Sequence, residues 1–260
     1  DSSDDFLCQG QVLAVGASVA VARGDASGDQ LHAPHFPWPN SKPWQSFDHA
    51  SIRRGWTVYK EVCAACHSLK RVAFRNLTDV GFSPEEVKAL AASYSVKDGP
   101  NEEGEYYERP GRPSDYFPSP YANDNAARAA NNGALPPDLS LIIKARHEGA
   151  NYVYSLLTGF EPAPEGFVVG ENMHYNPYFA GGGRQLAMTP PLTQDGQVEY
   201  PDGTKSTVDQ MSRDVVNFLQ WAAEPEMEAR KSLGLKTVIF LVLFTVIFYF
   251  AYKRIWSRVK

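Results

Sequence analysis

Residues 48–67 read D-H-A-S-I-R-R-G-W-T-V-Y-K-E-V-C-A-A-C-H, and the rest of the chain falls into place around them. Asp48 offers an N-cap, and Ile52, Trp56, Tyr59, Cys63 and Cys66 follow at spacings of four, three, four and three, one stripe of an amphipathic helix. The spacing predicts a helix that runs to Cys66 with both cysteines on its buried face. Cys63-Ala64-Ala65-Cys66-His67 is the attachment signature of a c-type haem. Two thiols three positions apart can each form a thioether to a porphyrin vinyl group, and the adjacent imidazole then turns to the iron. A zinc site would need four ligands, and no second cysteine pair or His-x-His lies elsewhere. A dithiol redox pair usually opens a helix after a strand, whereas about fifteen helical residues come first here. Gly55, on the same helix, lacks the side chain that would hold another helix away. A helix expected at 207–223 should cross there through Phe218 or Trp221.

A sixth ligand must come from far along the chain. The candidates are the other five histidines and Met173, Met188, Met211 and Met227. Met211 falls on a helical core stripe and Met227 at the membrane. Met188 stands in L-A-M-T-P-P-L, where Pro190 and Pro191 stiffen a loop that can hold a thioether sulfur still. Met173 and its neighbour His174, in E-N-M-H-Y, are the alternative. His/Met ligation favours the ferrous state and raises the potential, which suits electron transfer; bis-His ligation would lower it.

The formal net charge of −5 hides an acidic body and a basic tail. Residues 234–260 hold five bases and no acid, so the remainder carries 20 bases against 30 acids. Such a body repels phosphate backbones, which excludes nucleic-acid binding as a main task, and its natural complement is a cationic protein. Three cysteines in 260 residues make no disulfide scaffold, and Cys8 is left as a lone thiol. From Leu233 to Tyr252 the only charge is Lys236. Those 20 residues cover about 30 Å as a helix, one hydrocarbon thickness. Four bases follow in the last eight residues, whereas Glu224, Glu226 and Glu228 offset Arg230 and Lys231 before the span, so the tail should face the cytoplasm or matrix. Val12–Ala22 is apolar but too short to span, and Asp1, Asp4 and Asp5 stand where a sorting signal would carry bases.

Pro and aromatic residues crowd 31–47, which forbids helix and suggests an extended arm. Ser83 caps a short helix with Pro84 in its first turn, running to about Ser93. From Gly99 to Lys205 there are 13 Pro and 13 Gly in 107 residues, with nine Tyr and four Phe. So much loop lacks a core of its own, and a large apolar cofactor wrapped by it would supply one. One helix, roughly Pro137–Leu157, is expected within it. Another begins at Thr207, where T-V-D-Q makes a capping box with Gln210 and where Met211, Val215, Phe218 and Ala222 form the buried stripe. Pro225 separates it from the anchor.

Further blocks stand in order: D-G-P-N-E at 98–102, R-P-G-R-P-S-D-Y-F-P at 109–118, A-R-A-A-N-N-G-A-L-P-P-D-L-S at 127–140, K-A-R-H at 144–147, Y-V-Y-S-L-L-T-G at 152–159 and W-A-A-E-P-E at 221–226. Together with D-H-A-S-I-R-R-G at 48–55, the haem motif and the anchor, they make the chain closely resemble the cytochrome c1 family, the haem subunits of cytochrome bc1 complexes. The resemblance implies a mainly α, class I cytochrome c-like haem domain at 48–224 with long Pro/Gly-rich loops, after an irregular arm at 1–47 and before a transmembrane helix and basic tail at 225–260. It implies one covalent haem c attached at Cys63 and Cys66, with His67 and Met188 as axial ligands. Arg146 resembles the arginine that meets a propionate. Pro136 and Pro137 resemble the proximal loop whose carbonyl receives the His67 Nδ1–H, and Asn131 and Tyr152 resemble pocket residues.

It also implies an electron taken from the Rieske iron–sulfur protein and passed to soluble cytochrome c, beside cytochrome b, in a dimeric multi-subunit complex. The expected place is the mitochondrial inner membrane with the haem domain in the intermembrane space and the C-terminus in the matrix, or a bacterial plasma membrane with a periplasmic domain. A membrane-anchored c-type cytochrome of another chain is the alternative. Asp98, Glu102, Glu103, Glu105 and Glu108 are the first docking candidates for basic cytochrome c, and association steered by them should slow with salt. Residues 1–30 and the G-G-G at 181–183 depart from the family pattern.

Overall fold

The computed structural model describes residues 31–179, 181 and 183–259. Cys8, Val12–Ala22 and the middle glycine of the G-G-G run lie outside them.

Two crossed helices make the core. α1 spans His49–Glu61, with the Asp48 carboxylate accepting from the Ser51 amide at 3.1 Å. α5 spans Val208–Ala223, with the Thr207 hydroxyl accepting from the Gln210 amide at 3.1 Å. The capping box expected there is only half made, because the Gln210 Nε2 donates instead to both carboxylate oxygens of Asp214 at 3.0 Å. Met211, Val215, Phe218 and Ala222 are all buried, as the stripe required, and Trp221 is buried with them. The crossing falls at Gly55, against the Asp214 backbone and Phe218 rather than Trp221. Around it the rings of Trp56, Tyr59 and Phe218 stand 5.6–5.8 Å apart, and Phe117 bridges Trp56 at 4.9 Å to Phe74 at 4.3 Å, in tilted and edge contacts that aromatic quadrupoles favour. The fully buried Asp214 is tolerated because its oxygens are occupied: Arg54 donates at 2.9 and 3.1 Å and Ser51 Oγ at 2.6 Å.

α1 stops earlier than expected. Val62 caps it, its amide still donating to the Val58 carbonyl at 3.0 Å, and Cys63–Ala65 then form a 3-10 turn, so Cys63 and Cys66 are half-buried beyond the helix rather than on its face. A turn of three residues preserves the apolar spacing while ending the regular ladder, so periodicity alone could not mark the break. A second 3-10 stretch, Phe74–Val80, closes at Gly81 in the left-handed region. α2 is Pro84–Ala92, with a full Ser83/Glu86 capping box.

The Pro/Gly-rich stretch, with the few residues before it, holds more structure than its composition suggested. β1 (Ser95–Asp98) and β2 (Tyr107–Pro110) pair antiparallel with Ser95 opposite Pro110, and β3 (His174–Tyr175) pairs with β4 (Gln185–Leu186). α3, Asp124–Ala130, is capped by Asn123. The helix expected at Pro137–Leu157 is shortened to α4, Gly149–Thr158, because Glu148 and Gly149 take φ of 65° and 52° and residues 139–148 run as turns. The arm at 31–47 contains no helix; Trp38 Nε1 and the Phe36 amide both donate to Asn151 Oδ1 on α4, at 2.7 and 3.1 Å.

α6, Met227–Trp256, is 30 residues long, and its most apolar window has a mean hydropathy of 2.3. Only Met227 is buried. Thr237 and Thr245 donate back to the Leu233 and Leu241 carbonyls at 2.9 and 2.7 Å, so neither hydroxyl is left unsatisfied along the apolar run.

Candidate haem site

α1 delivers the chain into a turn in which the Cys66 and His67 amides both donate to the Cys63 carbonyl, at 3.1 and 2.9 Å. Burial pushes the Cys63 thiol up to about 12, with the neighbouring Cys66 adding to it. A redox dithiol needs the opposite, a lowered thiol ready to attack. His67 Nδ1 lies 2.8 Å from the Pro137 carbonyl oxygen. A carbonyl can only accept, so Nδ1 carries the proton and Nε2 keeps a free lone pair. Burial lowers the His67 pKa, against the Pro137 carbonyl and Asp138, which favours the neutral ring that a metal needs. From behind, the Tyr59 hydroxyl donates to the His67 carbonyl at 3.1 Å.

Asp138, which the sequence reading did not single out, fixes this geometry. Ser68 Oγ and the Lys70 amide donate to its Oδ2 at 2.8 and 2.9 Å, and the Ser140 amide to its Oδ1 at 3.0 Å. The Leu139 amide adds a bond to the Ser68 carbonyl at 2.9 Å, so residues 68–71 and 137–140 are stitched together. The only prior signal was its place in the P-P-D-L-S run. Burial alone would raise this carboxyl, but the Lys70 amide and the Ser140 and Ser68 hydroxyls hold it below the ordinary range. A depressed folded pKa contributes stability above the unfolded value of about 4, which is lost as pH falls through the folded value. Asp138→Asn should therefore cost about 1–3 kcal/mol at neutral pH, lowering Tm by roughly 2–4 °C per kcal/mol, and should flatten the acid limb of a Tm–pH curve. An unchanged acid limb would show that the clamp is not stabilising.

Asn131 ends α3, donating to the Ala127 carbonyl at 2.7 Å and to Tyr121 Oη at 3.1 Å, and Pro136 is half-buried beside the His67 clamp. Arg146 is exposed at the entry to α4 and lies beside the buried Tyr152 hydroxyl, which burial shifts up and Arg146 draws down. Met188 is half-buried in the loop after β4, between the buried Leu186 and Leu192. That loop is held where Gln197 Nε2 donates to the Pro191 carbonyl at 2.7 Å. No hydrogen bond among the described residues joins it to the Cys63–His67 turn. Met173 sits in its own turn, its Cγ close over Gly170. Of the five acidic candidates, Asp98 is engaged by Arg109, which also grips Asp115, and Glu108 accepts from Ser95 Oγ at 2.7 Å. Glu102, Glu103 and Glu105 stay exposed between the strands, and no ion pair engages them among the described residues.

A family model described as the Cytochrome C1 family matches residues 38–259. The chain belongs to the cytochrome c1 family. A mitochondrial cytochrome c1-2 haem protein of Solanum tuberosum is 53% identical over 241 residues, covering 92% of this chain and 91% of that protein. The mitochondrial cytochrome c1 haem protein of Saccharomyces cerevisiae is 52% identical over 231 residues, covering 88% and 74%. A mitochondrial cytochrome b-c1 complex catalytic subunit of Candida albicans is 50% identical over 231 residues, covering 88% and 79%. As in the cytochrome c1 family at large, the cofactor is a c-type haem. The donor set here fits it: two half-buried thiols in one turn and an imidazole whose free nitrogen is set by a carbonyl.

Proposed function

We propose that this chain is the one-electron carrier of a quinol–cytochrome c reductase complex, taking an electron from the Rieske iron–sulfur subunit and giving it to soluble cytochrome c. What carries the reading is the C-A-A-C-H turn with its His67 proton committed to Pro137, in a chain of this family. Cys63 and Cys66 would hold the porphyrin edge as thioethers, and His67 Nε2 and Met188 Sδ would be the side-chain donors to its iron. Pro136, Pro137, Asn131 and Tyr152 would form the pocket wall, and Arg146 would supply the cation for a propionate. When bound, the haem supplies the one-electron change. The side chains move no proton and attack no substrate; they orient the ligands and set the charge around them.

Exposed Glu102, Glu103 and Glu105 offer a basic partner complementary charge at the tip of the β1–β2 hairpin. α6 spans the mitochondrial inner membrane, with the haem domain in the intermembrane space, the basic tail in the matrix, and cytochrome b as a neighbour within a dimeric assembly. A relative named as a subunit of the cytochrome b-c1 complex favours this over a cytochrome of another chain. The test is a visible spectrum of the detergent-solubilised holoprotein. Ascorbate alone should reduce it fully, and the colour should stay with the chain after denaturation. A requirement for dithionite would favour bis-His ligation and a different electron-transfer chain, and colour released on denaturation would overturn covalent attachment.

A further inference from the structure

Lys231 stands two residues before the apolar run that begins at Leu233, about 3 Å along the helix. Its ammonium donates to three backbone carbonyls of the arm, Asn40, Lys42 and Gln45, at 2.8, 2.8 and 2.9 Å. About one helical turn earlier, Glu228 Oε1 accepts from the Phe47 amide at 2.8 Å, and Asn40 Nδ2 reaches Met227 Sδ at 3.7 Å. The arm is thus fastened to α6 at the level where α6 becomes apolar.

The fastened piece is a rigid turn. The Gln45 amide donates to the Lys42 carbonyl at 3.1 Å, and Gln45 Oε1 accepts from the Lys42 amide at 3.0 Å. Pro43 and Trp44 occupy the two central positions, the first suited to proline because its φ is preset. Trp44 is therefore held out at the tip, 77% exposed; among the described residues only Val168, at 86%, is a more exposed large apolar side chain. The Lys42 ammonium lies 5.9 Å from the centre of its ring. An isolated exposed tryptophan on a water-facing surface needs no explanation. One carried on a stiff turn at the start of a membrane span has the amphipathic body and polar N–H that partition to the headgroup layer.

The geometry points to a second membrane contact in this chain: the Lys42–Gln45 turn rests in the phospholipid headgroup layer that α6 enters, with the Trp44 indole at the acyl boundary and the Lys42 ammonium toward lipid phosphates. The haem domain is then fixed to the bilayer at two points, and Lys231 sets the depth of the second. The inference depends on α6 crossing a membrane and not on the redox role.

The test replaces Trp44 with p-benzoylphenylalanine in the full complex, reconstituted in nanodiscs of phosphatidylcholine and phosphatidylethanolamine. After irradiation, the Trp44 peptide is examined by mass spectrometry, with the same residue at Val168 as the water-facing reference. Phospholipid adducts at position 44 and none at 168 are expected, and Lys231→Met should reduce the yield at 44 several-fold while the haem spectrum stays unchanged. Adducts to another subunit, or none at all, would overturn the lipid contact. A yield indifferent to Lys231→Met would overturn the tether.

Discussion

Gly55→Val should leave little or no haem-containing protein in the membrane. A Cβ built on Gly55 would sit 2.0 Å from the Asp214 carbonyl oxygen, 2.5 Å from its carbon and 2.8 Å from Phe218 Cβ. Two of these are backbone atoms in the middle of α5, so no rotamer change relieves the contact. α1 and α5 would have to separate, opening the Trp56, Tyr59 and Phe218 cluster and drawing the buried Asp214 carboxylate away from Arg54 and Ser51. Ordinary overpacking costs about 1–3 kcal/mol. Here a broken charge network is added, and a buried charge that loses its partners costs about 3–5 kcal/mol by itself. The sum approaches the whole stability of a domain, about 5–15 kcal/mol. The haem motif follows directly on α1, so attachment should fail with the fold. Gly55→Ala should be impaired in the same direction, because the clash begins at Cβ. Gly234→Ala, where a Cβ meets nothing within 4 Å, is the matched control. Normal holoprotein yield and Tm from Gly55→Val would sink the close-crossing account.

That crossing was legible because it joins two local signals, a helical stripe at 52–59 and another at 211–222, each repeating every three or four residues. The haem motif was legible for a related reason: its two thiols and its imidazole stand within five consecutive residues, so that part of the donor set is written locally. What failed to show was whatever depends on single backbone steps. The end of α1 at Glu61 is invisible to apolar spacing, since a three-residue 3-10 turn at Cys63–Ala65 leaves the sequence spacing of the cysteines unchanged. Apolar content across Pro137–Leu157 masked the left-handed Glu148–Gly149 step that delays α4, although Gly149 was a cue. α3 buries only Ala127, too little to leave a period. Long-range side-chain choices were equally hidden. Nothing local says that Arg109 takes Asp98 and Asp115 together, withdrawing Asp98 from the acidic set, or that Asp138 ties the His67 turn to the proline loop.

Met188→Lys should give a protein that keeps its covalent haem and fold but is no longer reduced by ascorbate. In the proposed ligand set, His67 contributes a neutral imidazole and Met188 a neutral, polarisable thioether. The softer sulfur favours the ferrous ion and raises the potential. An amine from lysine is a harder, stronger donor that favours ferric iron. Axial ligands span roughly 0.8 V among haem proteins, and a drop of about 0.3 V would be about five powers of ten for a one-electron couple at about 59 mV each. Electron transfer from the iron–sulfur subunit would then run uphill, so quinol–cytochrome c turnover in the assembled complex should fall below detection. The loop can accept the change without unfolding, because Leu186 and Leu192 on either side are buried, whereas Met188 itself is half-buried and lysine's stem is of similar length. Loss of the sulfur-to-iron charge-transfer band of the oxidised protein should accompany the shift, and Met188→Leu should lose the same band without gaining an amine. Full reduction by ascorbate in Met188→Lys, with that band intact, would move the ligand to Met173, and a parent protein that lacks the band from the start would move it to His174.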